Sequence, residues 1–120
     1  METTLFNKDG KPVGYIAEDG STIYAWDGRA VAYLEGDQLY GWNWAQLGWH
    51  QNGTIFDIFG YRAGFVRAKS PIPTQIEPPK PIKQAQRIKK MRQAPVVKPP
   101  NFIYGYSKKS LEELLERGAV

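Results

Sequence analysis

Residues 23–34 read Ile23-Tyr24-Ala25-Trp26-Asp27-Gly28-Arg29-Ala30-Val31-Ala32-Tyr33-Leu34. An aliphatic and an aromatic residue open the stretch, Asp27-Gly28 stands at its middle, and the small-aromatic pair Ala32-Tyr33 comes near its end. Asp-Gly between β-rich runs is the strongest short-range hairpin signal, because a two-residue type I′ turn needs positive φ at both central positions. The stretch therefore predicts two antiparallel strands joined by a tight turn.

The same twelve-residue frame occurs three more times without a gap, at 5–16, 39–50 and 55–66. Each unit opens on an aliphatic-aromatic pair, Leu5-Phe6, Ile23-Tyr24, Leu39-Tyr40 or Ile55-Phe56, and carries Gly14-Tyr15, Ala32-Tyr33, Gly48-Trp49 or Gly64-Phe65 near its end. Fixed-period self-similarity marks a repeat architecture. The central pairs are Asp9-Gly10, Asp27-Gly28, Asn43-Trp44 and Phe59-Gly60, of which the last two each keep only one favourable turn residue. Two-residue turns predict Phe6 opposite Val13, Leu5 opposite Gly14 and Thr4 opposite Tyr15, with Pro12 at a non-hydrogen-bonded position. On that register one face holds the aromatics together with Val13, Val31, Leu47 and Ala63. The other pairs an aliphatic with Gly or Ala, as expected where four hairpins converge on a common axis.

The links Glu18-Asp19-Gly20-Ser21, Glu35-Gly36-Asp37 and Gln51-Asn52-Gly53 are too short for parallel crossovers. Isolated hairpins are marginal in water, so the four are expected to fold together. The predicted fold is all-β: four repeated antiparallel β-hairpins in a closed shallow barrel over residues 1–69. A Pro-rich basic linker (70–100) follows, then an aromatic segment with a short C-terminal α-helix (101–120).

The repeated opening pairs and small-aromatic pairs resemble the four-fold β-flower family of bacterial proteins over about the first 66 residues. The resemblance implies a shallow barrel of radiating hairpins and supplies no catalytic residue to carry over. β-Flower folds are in turn distantly similar to tubby-like domains, some of which bind membrane phosphoinositides, but fold alone does not fix function.

The second half differs in kind. Eight of the nine prolines lie between Pro71 and Pro100, a composition typical of extended linkers. Residues 1–70 carry six Lys/Arg and eight Asp/Glu (6 − 8 = −2), whereas residues 71–120 carry ten and four (10 − 4 = +6). Within the linker, the proline-free run Ile82–Arg92 is built largely of helix formers but is short for an isolated helix. Beyond it, Ser110 with Glu113 three positions on makes a capping box, and Leu111, Leu114 and Leu115 form one apolar stripe that needs a partner, either the protein's own sheet or another subunit.

Little points to catalysis, and no enzyme activity, cofactor or metal is predicted. The sequence lacks cysteine, which removes disulfides, thiolate metal sites and thiol nucleophiles together. His50 is the only histidine and stands where the other units have Ile16, Leu34 or Val66. Asp57 and Arg62 are expected to form a cross-strand ion pair. Asn52-Gly53-Thr54 matches a glycosylation sequon but reads more simply as a turn. An acid near the N-terminus and the absence of a long apolar run argue for a soluble, cytoplasmic chain.

Two surfaces are candidates for binding. Lys80, Lys83, Arg87, Lys89, Lys90, Arg92 and Lys98 could hold an anionic lipid or a nucleic acid, the bland alternative being a solvated tail. Trp26, Trp42 and Trp44, near the hairpin tips, could stack on a ligand. The expectation is a non-enzymatic binding or scaffold module whose tail mediates contacts. Such contacts include a homo-oligomer formed through the C-terminal segment. No obligatory small-molecule ligand is expected, and the alternative is peripheral attachment through residues 80–98.

Overall fold

The computed structural model describes residues 2–43, 45–83 and 105–118. Eight strands, β1 (Thr3–Phe6), β2 (Pro12–Ile16), β3 (Thr22–Ala25), β4 (Ala30–Glu35), β5 (Gln38–Gly41), β6 (Gln46–Gln51), β7 (Thr54–Asp57) and β8 (Arg62–Phe65), pair each with the next. Phe6 of β1 pairs with Phe65 of β8 and closes the sheet into an antiparallel barrel. Among the described residues no helix interrupts the run from Phe6 to Phe65. One helix, α1 (Leu111–Gly118), follows.

The outer part of the expected register holds: Thr4 faces Tyr15 and Leu5 faces Gly14. Closer to the turn it slips by one residue, so that Phe6 faces Pro12, not Val13. The same slip occurs between Ile23 and Tyr24, Leu39 and Tyr40, and Ile55 and Phe56. Each hairpin thus carries a β-bulge, and the extra residues are Val13, Val31, Leu47 and Ala63. A bulge turns its residue out of the alternation and sharpens the local bend. These four side chains accordingly join Leu5, Ile23, Leu39 and Ile55 in the barrel core, and not the aromatic face where simple alternation placed them. Four equivalent bends are also what lets so short a sheet close.

The bulges follow from the turns. At the first tip the Asn7 N–H donates to Lys11 O (3.0 Å) and the Gly10 N–H to Asn7 O (3.0 Å), which encloses three loop residues instead of two. Gly10, Gly28 and Gly60 have φ of 76°, 94° and 89°, while the aspartates before Gly10 and Gly28 do not have positive φ. This is a type I turn followed by one left-handed residue, the usual three-residue hairpin. Asx side chains select it: Asn7 Oδ1 accepts the Asp9 and Lys11 N–H groups, and Asp57 Oδ1 accepts those of Phe59 and Tyr61. Two consecutive positive φ values occur instead at Asn52-Gly53, in the link between β6 and β7 (53° and 75°).

The axis of the barrel is filled by α1, so the partner of the leucine stripe is the chain's own sheet. Leu111, Leu114 and Leu115 are at most 2% exposed and belong to the same core as the strand aliphatics. The small residues of the repeat make room for them. A Cβ on Gly64 would stand 2.7 Å from Leu111 Cδ2, and one on Gly14 would stand 3.3 Å from Leu115 Cδ1. At the far end of α1, a Cβ on Gly118 would come within 2.5 Å of Gly41 Cα. Ser110 caps the helix, donating from its N–H to Glu113 Oε1 and accepting the Glu113 N–H at Oγ (3.2 Å).

The aromatic residues lie on the outside of the barrel, between neighbouring hairpins. Tyr15 stacks on Tyr24 (5.6 Å) and meets Trp26 edge-on (5.8 Å); one unit later Tyr33 stacks on Tyr40 (5.6 Å) and meets Trp42 edge-on (5.5 Å). The bulges set this up as well, since Val13 O accepts the Trp26 N–H and Val31 O the Trp42 N–H. The described part of the Pro-rich segment runs over the first hairpin and brings Lys80 and Lys83 to the first of these grooves. The Gln75 N–H donates to Gly10 O (2.8 Å), Thr4 Oγ1 donates to Glu77 (2.7 Å), and Arg67 pairs with Glu77.

If the helix is part of the barrel core, its truncation must weaken the whole fold. Leu114→Ala is expected to cost about 2–5 kcal/mol, and Gly41→Ala about 1–3 kcal/mol through overpacking against the Gly118 backbone. Urea titrations followed by circular dichroism and by tryptophan fluorescence should give coincident single transitions shifted to lower urea. A helix signal lost ahead of the tryptophan signal would contradict this.

Candidate functional site

The four hairpin tips surround α1, and each grips the C-terminal segment differently. Asn7 Nδ2 donates to Glu112 (3.2 Å) at the start of the helix. On the second tip, Arg29 makes a two-pronged pair with Glu116 (2.8 and 2.9 Å) while also holding Asp27 (2.8 Å). These two carboxylates push the Arg29 pKa up, and Arg29 in turn holds Glu116 below the ordinary carboxylate range. Asn43 closes the far end, its Nδ2 donating to Arg117 O (2.6 Å) and its N–H to Gly118 O (3.2 Å). The fourth tip is reached ahead of the helix, where Ser107 Oγ donates to Asp57 Oδ2 (2.6 Å).

Because the fourth tip is tied to Ser107 and not to the helix body, a cleft is left between them. It has a volume of about 860 Å³ and is lined by Ile58, Phe59 and Tyr61 on the tip, by Lys108, Lys109 and Arg117, and by Leu47 and Leu114 on the floor. Concave, mostly apolar sites of this size with a few polar groups are where small ligands bind. Its one acid, Asp57, is already engaged: Oδ1 accepts the N–H groups of Phe59 and Tyr61 (both 2.9 Å) and Oδ2 the Ser107 hydroxyl. None of Lys108, Lys109 and Arg117 is in an ion pair among the described residues. Phe59 is 68% exposed.

The residues singled out in the sequence lie elsewhere. Lys80 and Lys83 both bind Glu2 (2.9 and 2.5 Å). Their ammonium groups lie over the rings of the first aromatic groove, Lys80 4.6 Å from the Tyr15 centroid and 5.2 Å from that of Trp26, Lys83 5.5 Å from Tyr24. The hydrogen bonds from Lys83 and Lys80 lower the Glu2 pKa, and that of Lys83 rises in return. Arg87, Lys89, Lys90, Arg92, Lys98 and Trp44 lie outside the described residues. Trp42, expected to offer a surface for stacking, is 2% exposed, because the bulge at Val31 draws it into the groove against Tyr33. Trp26 is partly buried with Lys80 over its ring.

Two further expectations need correction or closer description. Arg62 faces Phe56 because of the slipped register, so it does not pair with Asp57; its guanidinium lies 4.6 Å from the Tyr106 centroid. His50 lies on β6 opposite Ile55, with its Nε2 buried and without a hydrogen-bond partner. Burial lowers its pKa below the ordinary 6.5. Among the described residues no group of three or more His, Asp or Glu side chains could hold a metal ion, and no helix is long and apolar enough to cross a membrane.

Sequence reasoning missed the cleft because its cations come from Ser107–Lys109 and the end of α1, whose place against the fourth tip depends on the closed barrel. A signal was nevertheless present: position five of the repeat is Asp9, Asp27 and Asn43 in three units, and Phe59 in the fourth.

Neither the curated proteins nor the solved structures contain a match to this chain. A family model does match, described as that of the 4-fold beta flower protein, and it spans residues 3–115, taking in the barrel, the connecting segment and most of the helix. The chain belongs to the 4-fold β-flower family.

Proposed function

We propose that this protein is a non-enzymatic binding module whose recognition site is the cleft between the fourth hairpin tip and the C-terminal segment. The observation that carries the reading is the cleft itself: a cavity of about 860 Å³ with a mainly apolar wall and three cations that have no ion pair among the described residues, on a scaffold made rigid by a closed barrel. Sites built on a rigid framework hold their geometry without an ordering cost at binding. The lone imidazole is no argument for catalysis, since a general base needs a partner to orient it and a substrate within reach, and His50 Nε2 has no such partner.

The tail contributes from within. Because Leu111, Leu114 and Leu115 are buried in the barrel, assembly with a second copy would have to use another surface than the helix stripe. Attachment to anionic lipid or nucleic acid through residues 80–98 is the second reading, favoured by the +6 formal charge of residues 71–120 (10 − 4). It has to reckon with Lys80 and Lys83 being held by Glu2.

A fragment library of mixed charge, screened against the full chain by amide chemical shifts, is expected to concentrate its hits on Phe59, Tyr61, Lys108, Lys109 and Arg117. Hits scattered over the barrel, or none, would remove the reading. Vesicle flotation and nucleic-acid gel shifts at two salt concentrations test the second reading, since electrostatic attachment must weaken as salt rises.

The pH dependence of stability is a separate expectation. The folded state keeps His50 neutral, with a pKa below its unfolded 6.5. Between those two values the unfolded chain binds the proton and the folded chain does not, so stability falls as pH drops through the window. His50→Leu, which restores the aliphatic of the other units, should therefore lose less stability than the parent between pH ~7.5 and ~5, as read by urea midpoints. Equal losses in both proteins would contradict it.

A further inference from the structure

We infer that the ligand of the cleft is a single-chain anionic amphiphile, with its carboxylate, phosphate or sulfonate head held by Lys108, Lys109 and Arg117 and its apolar body laid against Ile58, Phe59 and Leu114; this rests on the binding-module reading above.

Charge supports it first. Several other cations of the described surface have a carboxylate partner: Arg29 has Asp27 and Glu116, Arg67 has Glu77, and Lys80 and Lys83 share the one carboxylate of Glu2. The cleft is lined by three cations with no ion pair among the described residues, and the single acid there has all its hydrogen bonds directed at the turn and Ser107. Like charges around one concavity repel in the empty state, and an anion both relieves this and gains charge-assisted hydrogen bonds.

The repeat supplies a second, independent argument. Ile58, Phe59 and Tyr61 are aligned with Lys8, Asp9 and Lys11 of the first tip and with Trp26, Asp27 and Arg29 of the second. The fourth tip alone has no Asx residue at position five of the repeat, its turn being capped from position three by Asp57, and it exposes an apolar ring there. That exchange has no use in the packing of the barrel, whereas it supplies an apolar wall beside the three cations. A purely polar anion would leave this wall wet, and a neutral apolar molecule would leave the cations unmatched.

The test titrates the full chain with octyl phosphate, octanol, octyltrimethylammonium and inorganic phosphate, by calorimetry and amide shifts. A further arm uses phosphatidylglycerol and phosphatidylcholine vesicles. Octyl phosphate is expected to bind at least roughly tenfold tighter than the other three, since one charge-assisted hydrogen bond is enough for that factor. Lys108→Glu with Lys109→Glu, and separately Phe59→Asp, should each reduce the affinity by about tenfold or more while leaving the thermal midpoint nearly unchanged. Free octyl phosphate binding without vesicle binding identifies a diffusible ligand; binding to phosphatidylglycerol vesicles that the same variants abolish identifies a lipid headgroup of the same chemistry. Equal binding of the neutral or cationic amphiphile, or indifference to the charge reversals, overturns the inference. Fragment hits in the cleft without charge preference would then leave the binding-module reading standing, and no hits there would end both.

Discussion

The structure depends on the packing of three leucines into a ring of small residues. Eight short strands closed on themselves leave an axis that their own side chains do not fill: the inward positions alternate aliphatic residues with Gly14, Ala32, Gly48 and Gly64. Leu111, Leu114 and Leu115 complete that core from the other end of the chain. Fully burying each such side chain contributes roughly 1.5–3 kcal/mol. Without them the same surface would face water inside a barrel whose single hairpins are marginal on their own. The glycines are therefore not only turn residues. Some set the clearance at which a helix can enter, and a methyl group at Gly64 would already meet Leu111.

Much of this fold was legible in the chain, because the repeat constrains it four times over. The spacing of aromatics and small residues located all eight strands, their order and the outer half of each register. What misled was Asp-Gly as a turn signal. A two-residue loop and a three-residue loop with one left-handed glycine both use it, and Asx oxygens support the longer loop from either of two places, Asn7 at the first tip and Asp27 at the second. One residue of difference moved Val13, Val31, Leu47 and Ala63 from the expected aromatic face into the core. A side-chain period of two makes every such slip a change of face.

The site was less legible for a related reason. Composition directed attention to residues 80–98, where positive charge is dense in sequence. In space the described members of that run are engaged: Lys80 and Lys83 share the carboxylate of Glu2, and tyrosine and tryptophan faces receive their ammonium groups. Charge density along a chain thus says little about charge available at a surface. Lys108 and Lys109 are only a pair in sequence and Arg117 lies eight residues further on, yet the three line one cavity because a capped helix carries Arg117 back past the tip that Ser107 holds.

A four-fold barrel plugged by a single helix cannot keep its symmetry, and the asymmetry accounts for there being a principal cleft. The tips are near-equivalent as backbone, but a helix has a start, a side and an end. Asn7 meets its first turn, Arg29 its flank, and Asn43 its last carbonyls. The fourth tip meets only the approach to it, at Ser107. The helix body packs against β4, β5, β6 and β8, space remains beside the fourth tip, and two side chains that line it depart from the repeat: Phe59 for an Asx residue, Tyr61 for a small or basic one. The packing that seats the helix and the gap left beside the fourth tip are thus two consequences of one event, the entry of a polar-ended rod into a ring of four similar ribbons.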